Sequence, residues 1–497
     1  MTAVAADRIT TAAHARTVAT RLAAEFATGA AARDRDRELP YAQVDQLAAS
    51  GLLTITVPAE FGGAELAPSA VAEVVRILAT ADPNIAQIPH SHFVYLNLLR
   101  LAGSPQQRGR YFGSVLGGAR IANAQSERTG ATVAEISTTL RPSGSGFRID
   151  GTKFYCTGSL FADIFAVLTR LDDPDGLTGL PPGEYVAFLP AGTEGVRVID
   201  DWQGIGQRTT GSGTVEFDGV LVTGDQLVAR AAAVGAPRGY GAFAQLLHAA
   251  IDTGIARGAL DAATEFVRTT SRPWFEANVD RAVDDPLLIQ RFGELAVAVR
   301  TAEATLVAAG AAVDAATSGV RHDAEAIYRP YDAARAVSPN DAGPNGPRSP
   351  ERHGAGFAGP RDTWPAGVRR DVEAAAALPH DAATRLVRDV EGARLQRSAG
   401  PADSPHDATA SHDRQPLAAE ASIAVATAKV VADRAANEVS AALFEVGGTR
   451  SAAAEANLHH FWRNARTHTL HDPIRWKFQH IGRSVLHDTA PPLHGVI

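Results

Sequence analysis

His468 and His471 stand three residues apart, which on a helix places them about 300° round the axis and on one face. Imidazoles with near-neutral intrinsic pKa values can hold, donate or shuttle a proton. A metal pair is the other chemistry of this spacing, but no further cysteine or paired carboxylate clusters with them and Pro473 limits the helix, so no metal is expected. Asp472 lies beside them, and the proline after it restricts its backbone; it reads first as a structural carboxylate at a helix end. Thr157 adds a hydroxyl and Asn123 an amide, each able to donate and accept. Cys156 is the only cysteine, so the chain forms no intrachain disulfide and no cysteine-rich zinc site. Nothing visible near Cys156 lowers its pKa, and it reads as a small buried hydrophobe.

The elements that must position these residues follow from texture. From Tyr41 to Leu116 the pattern is helical, with Gly/Pro joints such as Pro58–Gly63. Between Arg120 and Arg230 short alternating runs such as Tyr185-Val-Ala-Phe-Leu, bounded by Gly, Pro, Asp or Ser, predict strands. Helical periodicity returns after Gly239. Leu288, Phe292, Leu295, Val299, Ala302 and Leu306 draw one apolar stripe, and Glu420 to Phe444 predicts a second long helix burying Ile423, Val430, Val431 and Leu443. The stretch 318–416 is low in complexity and rich in Pro, Gly, Ala, Arg and Asp; it is expected to be a disordered insertion, a surface linker rather than a lid, with at most a loose helix over Asp371 to Leu395. The architecture is thus α+β: an N-terminal helical domain (1–117), a central β-barrel-like domain (118–232) and a C-terminal helical bundle (233–317 and 417–497).

Composition narrows the function. The 497 residues are 45% hydrophobic, enough for a large core shared by two or three substructures. With 47 Lys and Arg against 55 Asp and Glu, the net charge of −8 leaves no general footprint for nucleic acid. Met1 to Ala32 lacks an apolar signal core and no run reaches the roughly 18 apolar residues of a membrane span, so a cytoplasmic protein is expected, with no membrane partner.

Read in order, the local motifs become specific. Gly51-Leu-Leu-Thr-Ile-Thr-Val-Pro-Ala-Glu-Phe-Gly-Gly63, Ala122-Asn-Ala-Gln-Ser-Glu127, Lys153-Phe-Tyr-Cys-Thr-Gly-Ser159, Arg272-Pro-Trp-Phe275 and Phe444-Glu-Val-Gly-Gly-Thr449 together resemble the acyl-CoA dehydrogenase superfamily. Trp462-Arg-Asn-Ala-Arg-Thr-His-Thr-Leu-His-Asp-Pro473, with Ser271–Glu276 and Asp285–Leu295, resembles its flavin-dependent monooxygenase branch, that of dibenzothiophene monooxygenase and the SfnB sulfur-acquisition oxidoreductases. The resemblance covers the chain except the insertion. It implies a C-terminal four-helix bundle and a flavin between bundle and β-domain. Asn123, Ala124, Gln125 and Ser126 would form the first flavin-contacting segment, and Tyr155, Cys156 and Thr157 the second. Arg272, whose planar fork suits the single phosphate of FMN, and Gly448 and Thr449, presented by a neighbouring subunit, would complete the cofactor site of a homotetramer. His468, His471, Thr157 and Asn123 are the catalytic candidates, His471 also touching the flavin; His92, Tyr95 and Trp202 are the candidates for the substrate pocket. Related monooxygenases carry serine at the place of Thr157.

A dehydrogenase of this superfamily abstracts a proton with a glutamate in a Glu-Gly-Thr context, and none occurs near residue 470. Nor does a Gly-x-Gly-x-x-Gly follow a strand and open a helix, so no NAD(P)H site is expected. The resemblance therefore implies a two-component monooxygenase. FMN reduced by a separate NAD(P)H-dependent flavin reductase would react with O2 to a C4a-hydroperoxide and oxygenate a small or aromatic, organosulfur substrate, with FAD the less favoured flavin. Two other readings stay open: an FAD-dependent acyl-CoA dehydrogenase using Asp472, and a flavin-free helical scaffold with the insertion as its arm.

Overall fold

The computed structural model describes residues 8–132, 134–318 and 405–494. The expectations for 319–404, including a helix over Asp371 to Leu395, lie outside the described residues. Among the described residues seven α-helices precede the sheet: α1 (Ala12–Ala27), α2 (Ala30–Asp36), α3 (Tyr41–Ala49), α4 (Pro68–Ala81), α5 (Pro83–Gln87), α6 (His90–Ala102) and α7 (Pro105–Leu116). Their starts are written in the sequence. Thr11 caps α1, Asp82 accepts from the amides of Asn84 and Ile85 to start α5, and Ser104 with Gln107 forms a capping box on α7. α6 is buried on nearly every side, so it forms a wall between the other layers rather than a surface.

The central module has eight strands: β1 (Ile121–Ala124), β2 (Thr139–Ser143), β3 (Gly146–Cys156), β4 (Ile164–Leu171), β5 (Glu184–Pro190), β6 (Val196–Ile199), β7 (Gly213–Val222) and β8 (Leu227–Ala229). It is an open sheet in the order β6-β7-β3-β2-β4-β5-β8, which corrects the expected barrel. Alternating burial reports only which face a residue takes, and an open sheet covered on both faces gives the same alternation as a closed one. The sheet forks at β4. Ile164–Val167 pairs with β1, whereas Arg170 and Leu171 pair with Thr139 and Leu140 of β2. On one face of β4 and β5, Ile164, Ala166, Val186 and Phe188 pack with Leu98, Tyr111 and Phe112 of the helical layer. On the other, Phe165, Val167, Ala187 and Leu189 pack with Phe147, Ile149, Val215 and Phe217.

After the short α8 (Ala231–Val234) come α9 (Tyr240–Thr269), α10 (Pro286–Thr317), α11 (Pro405–Gly447), α12 (His459–His468) and α13 (Ile474–His487). The stripe on α10 is buried at Leu295, Val299, Ala302, Leu306, Ala309 and Val313, with Leu288 and Phe292 partly covered. α11 buries Val430 and Leu443 but only part of Ile423 and Val431; alanines at 428, 432, 435 and 442 carry much of its contact surface. It starts at Pro405, inside the stretch expected to lack regular structure. By length and composition α10 is the one helix among the described residues that could cross a membrane, yet one face of it packs on the core formed with α4 and α9.

Candidate active site

The two segments expected to meet a flavin are sewn together. Lys153 and Glu127 form a buried ion pair at 2.6 Å; Lys153 also donates to the Gln125 carbonyl at 3.1 Å, and the Phe154 amide to the Ser126 carbonyl at 2.9 Å. Burial alone would raise the Glu127 carboxyl, but Lys153 and the donors of Thr138 and Ser137 hold it down to about 2. A bulge in β3 puts Tyr155 at φ +58°, left-handed and exposed, and this re-aims the chain so that Thr157 follows at the strand end. The turn at Gly158 lies against β1, where a Cβ would sit 3.7 Å from that of Ala122.

Thr157 heads a directed chain of hydroxyls. Thr210 donates to the Gln207 carbonyl at 2.9 Å, so in its 2.7 Å contact with Ser212 the serine must donate. In the 2.9 Å contact between Thr157 and Ser212, Thr157 must then donate in turn. The Thr157 oxygen is therefore left with lone pairs only for any further partner. Asn123 is half-buried, and its side-chain oxygen is buried with no partner among the described residues. Ala124 is fully buried, and so is Cys156, whose thiol burial pushes up to about 12; it is a packing group and no thiolate. Trp202 donates through Nε1 to the Gln207 carbonyl at 2.8 Å and meets the Tyr155 ring edge-on at 6.0 Å.

The same loop reaches the bundle. The Gln207 amide donates to the Asn464 side chain at 2.6 Å, and Gly206 approaches α12 so closely that a Cβ would lie 1.9 Å from the Arg463 carbonyl. α12 ends at His468, fully buried, whose Nδ1 meets Asp252 at 2.5 Å and whose Nε2 meets His248 Nδ1 at 3.0 Å. Asp252 also pairs with Lys429 at 2.9 Å; both side chains are fully buried. Desolvation would raise Asp252, but His468 and Lys429 outweigh it and hold the carboxylate charged. The His248 ring is sandwiched between His90, 3.9 Å away centroid to centroid, and His471, 4.2 Å away. The His471 side chain is 50% exposed and forms the open side of this stack. Burial pushes His90 down to about 3 and His248 well below the usual imidazole range, and desolvation of its stacked face, with Lys429 and Lys477 adding to it, lowers His471 too. Three stacked imidazoles without a facing carboxylate for each cannot all be cations.

Asp472 is tied elsewhere. Lys477 holds it at 2.6 Å and also donates to Gln245 at 3.0 Å, and the Lys477 and Lys429 cations outweigh burial to keep the Asp472 pKa low. A carboxylate so stabilised is a poor base. Of the pocket candidates, Tyr95 joins the site by donating to the Gln125 side chain at 3.0 Å. His92 does not line a mouth: its Nε2 donates to the Leu53 carbonyl at 2.8 Å and its Nδ1 accepts from the Ile121 amide at 3.1 Å, a buried joint that seats β1. Its neighbour on α6, His90, is the histidine that reaches the stack. His248, Asp252, Lys429, Lys477 and Ser212 complete a site of which the sequence reading found only part.

Arg272, Gly448 and Thr449 are not brought to this cluster. Ser271 donates to the Gly447 carbonyl at 3.2 Å and Arg450 to the Thr270 carbonyl at 3.0 Å, which gathers all three at the far end of the bundle. At roughly 1.5 Å per residue, the end of α9 lies about 25 Å from Asp252. Arg272 is exposed and has no ion-pair partner among the described residues.

The buried histidines make stability depend on pH. His90, His92 and His460 are held neutral, at about 3, 4 and 4. Their folded pKa values lie below the unfolded value of about 6.5, so the unfolded chain binds more protons between pH 6.5 and 4. Stability is therefore full above pH 6.5 and is lost as pH falls toward 4, each group contributing up to about 1.4 kcal/mol per pH unit. Urea midpoints at pH 7.5, 6 and 5 should fall in that order; equal midpoints would show these rings to be solvated.

Helical layer, open sheet and bundle define the acyl-CoA dehydrogenase fold: its N-terminal domain matches residues 10–119, its middle domain 122–220 and its C-terminal domain 246–341. The chain is 27% identical over 483 residues to dibenzothiophene monooxygenase of Rhodococcus qingshengii, covering 95% of this chain and 93% of the relative. The solved FMN-bound TdsC from Paenibacillus sp. A11-2 superposes with a TM-score of 0.73 at 27% identity, covering 97% of this chain and 100% of that one. Methanesulfinate monooxygenase MsuC from Pseudomonas fluorescens superposes with a TM-score of 0.71 at 26% identity, covering 96% and 98%. The chain belongs to the flavin-dependent monooxygenase branch of the acyl-CoA dehydrogenase superfamily.

Proposed function

We propose that this chain is the oxygenase component of a two-component system, taking FMN reduced by a separate flavin reductase and using O2 to oxygenate a small or aromatic organosulfur compound. The observation that carries this reading is the neutral histidine stack, beside which the nearby carboxylates are committed, Asp472 to Lys477 and Asp252 to Lys429 and His468, so that neither is left as a free base for a dehydrogenation. The residues present suit a flavin. The unpartnered Asn123 oxygen and the remaining lone pairs of Thr157 are acceptors, and reduced flavin carries N–H groups at its ring edge. Bound reduced FMN supplies the two electrons that activate O2. Tyr95 and Gln125 orient the rim, Trp202 with Tyr155 supplies aromatic wall, and the imidazoles hold or return a proton in a pocket that must exclude water.

Arg272, Gly448 and Thr449, too far along the bundle to serve this cluster, fit a cofactor phosphate site completed by another copy, hence a homotetramer. A cytoplasmic location accords with the lone cysteine. Titration with FMN and FAD tests the cofactor: reduced FMN binds and oxidised FAD is not retained through purification. Retained FAD that bleaches with an acyl-CoA would favour the dehydrogenase, and no affinity for either flavin the scaffold.

A further inference from the structure

Hydrogen-bond direction can be followed through the buried cluster without reference to any ligand. Asp252 is charged, so the 2.5 Å contact requires the His468 Nδ1 to carry a proton and donate it. Lys429 already balances the Asp252 charge at 2.9 Å, so His468 needs only this one proton; its Nε2 is then bare and accepts, and in the 3.0 Å contact His248 Nδ1 is the donor. A neutral His248 with its proton on Nδ1 has a bare Nε2, for which the described residues offer no hydrogen-bond partner. His90 does not compete, because its own Nε2 donates to the Ala244 carbonyl at 3.0 Å.

We infer that Asp252, fixed by Lys429, is a positioning residue that acts through His468 to hold His248 with its proton on Nδ1, making His248 Nε2 the proton acceptor of the site. The inference deepens the monooxygenase reading and rests on it only for the identity of the acid. The step balances without electron transfer. An acid in the pocket gives its proton to His248 Nε2, the Nδ1–H bond of His248 breaks as that proton passes to His468 Nε2, and a His468 cation is left against Asp252. Reversal returns the proton. Lys429 prevents the charge from ending on Asp252, since its ammonium at 2.9 Å keeps that carboxylate ionised, as an aspartate of a catalytic triad stays ionised while it orients its histidine.

Charged and titratable groups face the cluster from several elements: α6 supplies His90, α9 supplies His248 and Asp252, α11 supplies Lys429 and Asp433 at 3.7 Å from it, the end of α12 with the following turn supplies His468, Arg466, His471 and Asp472, and α13 supplies Lys477. Burial and the surrounding cations and imidazoles keep His248 neutral at rest, which is the state a proton acceptor requires.

Neutron diffraction from deuterated crystals of the flavin-free full chain tests this directly. The expected maps show deuterium on Nδ1 of both His468 and His248 and none on His248 Nε2; deuterium on His248 Nε2 overturns the inference. In Asp252→Asn the amide can donate to His468 Nδ1, and both rings should then invert together to the Nε2–H form. Inversion of His468 alone would break the proposed coupling. Should Asp252→Asn fail to fold, the paired Asp252→Asn, Lys429→Gln variant removes both charges and is expected to show the same inversion; two unchanged rings there would overturn the inference. In turnover, Asp252→Asn should lower product per NADH roughly 10²-fold and remove the acid limb of the pH profile, with FMN affinity within about twofold of wild type. An unchanged profile contradicts the relay. The expected ring protonation with no oxygenated product in wild type would instead leave the relay standing and remove the monooxygenase reading.

Discussion

Replacing Lys429 by methionine should lower the unfolding free energy by about 3–5 kcal/mol, far more than the loss of an exposed lysine. Lys429 and Asp252 are both fully buried and 2.9 Å apart, so removing the ammonium leaves a carboxylate in the bundle with only His468 to balance it. The chain can answer by taking a proton onto Asp252 or by keeping His468 as a cation, and each costs free energy at neutral pH. Denaturant unfolding monitored by helix content measures the loss. Removing both charges in Lys429→Met, Asp252→Asn should recover part of it, because the penalty comes from the unpaired charge rather than from the missing contact. If Lys429→Met stays within about 1 kcal/mol of wild type, water reaches the pair and the cluster is not the dry network described.

The second large effect is on coupling. His471→Ala and Thr157→Val should each reduce oxygenated product per NADH by about 10²-fold, while NADH oxidation continues and the missing oxygen leaves as H2O2. The two act differently. Thr157 presents lone pairs because its proton is committed to Ser212, so valine keeps the volume but removes the acceptor, whereas Thr157→Ser should retain most of the yield. His471 is the half-exposed face of the stack, and its loss opens His248 to water. Full product yield in both variants would move the chemistry away from these residues.

Much of the arrangement was legible because the elements carry local signals. Caps at Thr11, Asp82, Ser104 and Asp285 mark helix starts, the stripe from Leu295 to Leu306 predicted the buried face of α10, and short motifs gave Asn123, Thr157, His468 and His471. What was not legible depends on partners far away in the chain. His92 and His90 are two residues apart, nearly opposite on a helix; only the positions of Leu53, Ile121 and His248 decide which one reaches the stack. His248 and Asp252 stand four apart on α9 on one face, but α9 is buried on every side from Tyr240 to Ala256, so no periodicity marks that face. Lys429 lies between Ala428 and Val430 in a run of small apolar residues of α11, a signal of a buried pair, but its partner Asp252 lies on another helix. The sheet failed for a different reason: strand alternation is the same for open and closed sheets, and the fork at β4 depends on pairing partners rather than on its own residues.

The most direct test of the central claim is the fate of labelled oxygen. The protein is supplied with FMN, a flavin reductase, NADH and ¹⁸O2, together with thioether, sulfoxide and sulfone substrates, and the product is weighed by mass spectrometry. The account predicts product carrying ¹⁸O from O2, formed with FMN and dependent on the reductase. Unlabelled or absent product, together with a tightly held FAD that an acyl-CoA reduces, would show that the cleft desaturates and that its histidines serve only to pack the bundle.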